Sequence, residues 1–278
     1  SFIGKYQSLG IWEDFLKRIK HNIHTSTPTE LDLKLGNFCN LSCRMCSGFS
    51  SSKALTEIKK IHKQTGVALG NDMEMNLKTF PWYDDPGFLH LLYYFIDNGL
   101  RSIKFTGGEP LMVPNVKKVM EYCIETNKAY DLELSIITNA TLIDEEWMNM
   151  FRYFKAVSIN ISIDGIEKTY EYIRHPTDWK DIHSKLKLFS ESGNVFSNDK
   201  ITPDGKFVST KVESPGGKNR LEKSNSGFYD QRVIIVNFTF TLSTYNILEA
   251  KNMINLRREM GFGLNCIPVF KPEYLDVK

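Results

Sequence analysis

The sequence lacks any long hydrophobic run. Its most apolar stretch, around Phe88 to Ile96, is about half of what a membrane span needs, so no membrane association is expected. A charge imbalance is also missing: 35 Lys and Arg stand against 33 Asp and Glu. That balance supplies no basic field for nucleic acid and no acidic tail for a cationic partner. The opening segment SFIGKYQSLGIWEDFLKRIK has neither the apolar core nor the cleavage site of a secretion signal. Cysteine is scarce, five in 278 residues, and three of the five fall within eight positions. This is not the evenly paired framework of a small secreted protein, and clustered thiols in a cytoplasmic, soluble chain point to metal. Ser1 stands where a Met is usual, and the closing KPEYLDVK runs on from a strand-like segment without a stop signal, the pattern of an excerpt from a longer chain.

What is present is an alternation of strand-like and helix-like segments. Six strand-like runs occur at Glu30 to Leu35, Ser102 to Thr106, Leu132 to Thr138, Val157 to Ile163, Val233 to Leu242 and Leu264 to Phe270. Helices are expected near Ser51 to Lys63, Pro114 to Thr126, Asp144 to Phe151, Ile182 to Glu191 and Tyr245 to Met260, with a further amphipathic stretch from Pro86 to Asn98. That order is the pattern of repeated βα units with parallel strands and favours an α/β barrel or partial barrel. Within the strands Val157, Ile159, Ile161 and Ile163 alternate with Ser158, Asn160, Ser162 and Asp164, and Val236, Phe238 and Phe240 alternate with Asn237, Thr239 and Thr241. One face is therefore polar. With helices on the apolar face, Lys34, Lys104, Glu133, Asn160, Thr239 and Asn265 share a polar lumen suited to a polar ligand; a two-layer sheet with one solvated face is the alternative. The expected organisation is an N-terminal helical extension over 1–27 and a single core over 28–278, with a polar insertion at about 193–231 read as a flap or short hairpin.

Cys39, Cys43 and Cys46 follow the first strand directly, so a compact loop brings three thiolates toward one centre. Thiolates are the usual ligands of iron-sulfur clusters, and three ligands for a four-iron cube leave one iron open. A structural zinc site is the alternative, but it wants a fourth Cys or His at suitable spacing. Gly107-Gly108-Glu109-Pro110 ends the second strand, where glycines let the backbone approach a ligand and a carboxylate suits an ammonium group; a plain βα turn is the competing reading. Thr138-Asn139-Ala140 and Ser162-Ile163-Asp164-Gly165 end the next two strands and are also good turn chemistry. Cys123 reads as core on an amphipathic helix, Cys266 as a small buried hydrophobe rather than a catalytic thiol, and His21 and His24 as solvated side chains.

The C-x3-C-x2-C loop after a first strand resembles the cluster motif of the radical SAM superfamily, and Leu33 to Asn37 with Ser47 to Ser52 resemble its members carrying SPASM or twitch domains. The resemblance implies a partial (βα)6 TIM-like barrel, a [4Fe-4S] cluster on Cys39, Cys43 and Cys46, and S-adenosylmethionine as cofactor. Reductive cleavage would then give a 5′-deoxyadenosyl radical that abstracts hydrogen from a small-molecule or peptide substrate, with an electron donor such as flavodoxin or ferredoxin. It implies cofactor contacts from Gly107, Gly108, Glu109 and Pro110 to the methionyl amino group, from Asn139 and Ser162 to ribose or carboxylate, and from Arg174 to the methionyl carboxylate. Asp164 would shape its loop, and Asn237 is a further polar candidate. Met45 stands where the family usually has an aromatic residue beside the adenine. No later cysteine group encodes the auxiliary clusters typical of SPASM enzymes. A non-catalytic iron-sulfur or zinc-binding module that kept the fold is the alternative.

Overall fold

The computed structural model describes residues 27–66, 82–191, 195–197, 210–211 and 233–268. The expected extension over 1–27 and most of the insertion at about 193–231 lie outside them. Two compact units divide the chain: one takes residues up to Asn40 and Cys46–Leu132, the other Leu41–Met45 and Glu133 onward.

In the first unit, strand β1 (Glu30–Leu35) runs parallel to β3 (Ser102–Gly107), Leu33 opposite Phe105 and Leu35 opposite Gly107. Helix α1 (Ser52–Thr65) begins where the buried Ser51 hydroxyl accepts the Ala54 N–H, and it ends at Gly66 in a left-handed conformation. Such a cap contributes about 1 kcal/mol. Asp85 caps α2 (Pro86–Asp97) in the same way, and α2 and α3 (Pro114–Glu125) lay a stacked Tyr93–Tyr122 pair side by side, ring centroids 3.9 Å apart. Ile103 and Phe105 of β3, Leu91, Leu92 and Phe95 of α2, and Val116, Val119, Met120 and Cys123 of α3 are buried as the core of this unit.

In the second unit, β4 (Glu133–Thr138), β5 (Ala156–Ser162), β9 (Val233–Leu242) and β10 (Gly263–Pro268) form a parallel run. Short β7 (Val195–Ser197) joins the N-terminal part of β9 and pairs antiparallel with β8 (Thr210–Lys211). Helices α4 (Glu145–Phe151), α5 (Glu167–Ile173), α6 (Trp179–Glu191) and α7 (Ala250–Met260) follow the strands. The alternation in the sequence is realised: Val157, Ile159 and Ile161 of β5 and Val236, Phe238 and Phe240 of β9 are buried. Ser162 lies opposite Thr239 and Thr239 opposite Asn265, so in-register neighbours put the polar residues on one face. Phe262 meets Phe238 edge-on at 5.1 Å and Phe189 at 6.5 Å, contacts worth about 0.5–1.5 kcal/mol each beyond burial.

Three expectations are corrected here. The helix expected from Tyr245 starts at Ala250, after a 3-10 turn over Ile247–Glu249. Helix α5 was not foreseen, nor was the two-residue strand β6 (Arg174–His175), which pairs antiparallel with β2 (Ser42–Cys43). Cys266 is exposed rather than buried, on a strand that pairs only with β9 among the described residues.

Candidate functional site

The ends of β1 and β3 build one part of the site from main chain. Gly36 turns the chain out of β1 at φ 60°, and Gly107 ends β3 at φ 137°, both in the region that side chains disfavour. A Cβ on Gly107 would sit 3.0 Å from the Gly36 and Leu35 carbonyl oxygens, and one on Gly108 would overlap the Phe38 and Asn37 carbonyls. The Glu109 N–H donates to the Phe38 carbonyl at 2.8 Å. The Gly-Gly-Glu-Pro turn is thus laid directly on the backbone that leads into Cys39. Glu109 is fully buried, and its Oε1 accepts the Leu111 N–H at 3.2 Å at the start of the 3-10 turn Pro110–Met112.

Helix α1 anchors the two ends of the cysteine loop that belong to this unit. The Cys39 N–H donates to the Ser52 hydroxyl at 3.2 Å, the Ser52 N–H to the Asn37 carbonyl at 2.6 Å, and the Asn37 amide to the Gly48 carbonyl at 2.7 Å. Cys39 and Cys46 are half-buried. Asn37 and Ser52 lay inside the stretches singled out in the sequence, but their anchoring role left no periodic or motif signal of its own.

Cys43 belongs to the second unit and has different surroundings. It is buried, and the Arg174 Nη1 donates to its Sγ at 3.8 Å. The backbone reinforces that contact: Cys43 lies opposite Arg174 in the β2–β6 pair, and the Arg44 N–H donates to the Ile173 carbonyl at 2.8 Å. Exposed Arg44 lays its guanidinium 3.9 Å over the Tyr172 ring. Arg174 forms an ion pair with the fully buried Asp164 carboxylate, Nη2 to Oδ2 at 2.5 Å, in a geometry that is not that of a hydrogen bond. Asp164 is held in turn: its Oδ1 accepts the Thr241 N–H at 2.7 Å, and its main-chain carbonyl accepts the Asn246 amide at 3.0 Å. Tyr170, also fully buried, has no hydrogen-bond partner for its hydroxyl among the described residues. Burial pushes that hydroxyl well above its ordinary pKa, against a lowering by Arg174, so it stays neutral.

Of the other expected residues, Asn139 is buried at the end of β4 and its Oδ1 accepts both the Thr141 N–H and the Thr141 hydroxyl, the turn chemistry foreseen as the competing role. Ser162 and Met45 are half-buried in the same unit. Lys104 pairs with Asp32 at 2.6 Å and Glu133 with Lys155 at 2.6 Å, so these two lumen candidates are engaged in structural pairs. Cys123 is core as expected, its thiol pushed up to about 12 by burial, with the Asp97 charge adding to the effect.

Among the described residues no three His, Cys, Asp or Glu side chains are already gathered into a metal site. The donor chemistry still fits an iron-sulfur cluster: three thiols in one short loop, the middle one in contact with the Arg174 guanidinium. The family model of the radical SAM superfamily matches residues 33–202, more than half of the chain. The chain belongs to the radical SAM superfamily.

Members of the radical SAM superfamily are enzymes, and the family implies a [4Fe-4S] cluster and S-adenosylmethionine. The chain is similar to the antilisterial bacteriocin subtilosin biosynthesis protein AlbA of Bacillus subtilis, 25% identical over 53% of this chain and 28% of that one. It is also similar to the sporulation killing factor maturation protein SkfB of the same organism, 23% identical over 63% of this chain and 36% of that one. It therefore spans well under half the length of these curated relatives. Among solved structures, Streptococcus suis SuiB bound to S-adenosylmethionine matches with a TM-score of 0.51 at 16% identity, over 100% of this chain and 54% of that one. That likeness shows the fold, the α/β class of partial TIM-like barrels with parallel strands expected from the sequence. No helix among the described residues is long and apolar enough to cross a membrane.

Proposed function

We propose that residues 28–278 are the catalytic core of a SPASM- or twitch-type radical SAM enzyme that acts on a peptide in the cytoplasm, with 1–27 and about 193–231 as an extension and an insertion. The observation that carries the reading is the junction at Phe38: the residue before Cys39 receives the Glu109 N–H and closes over Gly108. The turn that resembles the cofactor-binding motif and the start of the cysteine loop are built as one piece of backbone. Cys39, Cys43 and Cys46 would hold the cluster. Gly107, Gly108, Glu109, Pro110, Asn139, Ser162, Arg174 and Met45 would hold S-adenosylmethionine. When bound, these groups supply a radical able to take a substrate hydrogen, and the protein supplies orientation and exclusion of competing reactions.

The peptide reading is supported by AlbA and SkfB, whose names place them in the biosynthesis of a bacteriocin and the maturation of a killing factor. A one-electron donor such as flavodoxin or ferredoxin completes the scheme. The test is anaerobic reconstitution with iron and sulfide, followed by reduction in the presence of S-adenosylmethionine. A brown cluster that depends on all three cysteines, and release of 5′-deoxyadenosine, support the proposal. Zinc in place of iron, with no cofactor cleavage, would leave a non-catalytic metal-binding module.

A further inference from the structure

We propose that Asp164 is a positioning residue, whose buried carboxylate holds the Arg174 guanidinium against Cys43 and so fixes the middle of the cysteine loop before any metal is bound. Three observations carry this. Asp164 is itself immobilised from both sides, by the Thr241 N–H on its carboxylate and by the Asn246 amide on its carbonyl. That amide also donates to the Thr241 carbonyl at 2.9 Å, while Asn246 Oδ1 accepts the Ser243 N–H at 2.8 Å, so the end of β9 is stapled to the end of β5. From this fixed point one ion pair reaches Arg174, and Arg174 reaches Cys43 by its side chain and by the β2–β6 backbone pair.

The energetics favour a positional role over a stabilising one. A buried ion pair gains little over a well-packed apolar pair of the same volume, because both charges lose their water, yet removing one partner is costly since the other charge is left uncompensated. What the pair does supply is a fixed charge: the carboxylate, held by the Thr241 N–H, draws the guanidinium to one place, and the Nη1–Sγ hydrogen bond sets which thiol it faces. A thiol under that fork is presented in one place. Cys39 is instead anchored through its main chain to Ser52, so the latch acts on Cys43. Its consequence for the cofactor rests on the cluster reading above; its existence does not.

The test compares the metal-free chain as wild type, as Asp164→Asn, and as Asp164→Asn with Arg174→Met, which removes the stranded cation if the single variant folds poorly. Hydrogen exchange is read at the Arg44 amide, bonded to the Ile173 carbonyl, and at the amides of Ile159 and Ile161 in β5. Faster exchange at Arg44, roughly tenfold, with β5 unchanged is the expected result for the single variant. In the double variant the thermal midpoint should recover while Arg44 still exchanges fast. After reconstitution, both variants should lose iron to a chelator several-fold faster than wild type. The proposal is overturned if Arg44 exchange is unaltered, if β5 accelerates by the same factor, or if the double variant restores slow exchange at Arg44. A wild type that takes up no iron would sink the cluster reading and leave the exchange result to decide the latch.

Discussion

The two units handle the cysteine loop with different materials. Around Cys39 the work is done by main chain: glycines at 36, 107 and 108, the Phe38 carbonyl, and a helix N-terminus capped by Ser51. Around Cys43 buried side chains, Arg174, Asp164, Asn246 and Tyr170, are added to the β2–β6 backbone pair. A backbone-built site is insensitive to side-chain chemistry but intolerant of any added carbon. A side-chain-built one accepts small steric changes but fails when a charge is altered.

That contrast can be broken by experiment. The largest effect is expected from Cys43→Ala, Cys39→Ala or Cys46→Ala, each of which should bring reconstituted iron down to background in a chemical iron assay; a variant that keeps full iron would remove that cysteine from the ligand set. Next comes Gly108→Ala, whose new methyl overlaps the Phe38 carbonyl. It should lower the unfolding free energy by about 1–3 kcal/mol in urea titrations and weaken S-adenosylmethionine binding measured by calorimetry. A neutral outcome would mean that the Gly-Gly turn is not in close contact with the loop.

A smaller effect is expected in alkali. The Cys123 thiol ionises near 9.0 when exposed and at about 12 when folded, so the folded state keeps a proton that the unfolded chain loses. Stability is complete below pH 9 and should fall by about 1.4 kcal/mol per pH unit through that window. Cys123→Ala should flatten the slope in urea midpoints taken between pH 9 and 11, and an unchanged slope would assign the loss to other groups. The smallest effect is Asp32→Asn: the exposed pair with Lys104 is worth about 0–1 kcal/mol, and a larger loss would mark Asp32 as part of the binding face.

Much of the scaffold was legible because it is periodic. Alternation along Val157 to Ser162 and Val236 to Thr241 announced strands with one apolar face, and the structure keeps their phase. The cysteines and the Gly-Gly-Glu-Pro turn were legible as motifs. The β2–β6 pair was not, since two residues carry no period and their partners lie far apart in sequence. In the sequence Asp164 reads only as a loop former, because nothing local says that a carboxylate after Ile163 will face an arginine ten residues on. The exposure of Cys266 depends on what packs over the face of β10 and not on the residue's own chemistry.

One consequence follows from the span of the Arg174–Cys43 contact, which joins residues 131 positions apart. Contacts of such separation form late, after the intervening chain has paid its loop-closure entropy. On the ribosome, the central thiol cannot acquire its guanidinium neighbour until residue 174 has emerged, nor that guanidinium its carboxylate support until Thr241 has joined the sheet. The order of synthesis therefore sets a schedule in which the scaffold is complete before the thiol is presented, and a nascent chain stalled earlier would offer its central sulfur unrestrained to whichever metal it met first.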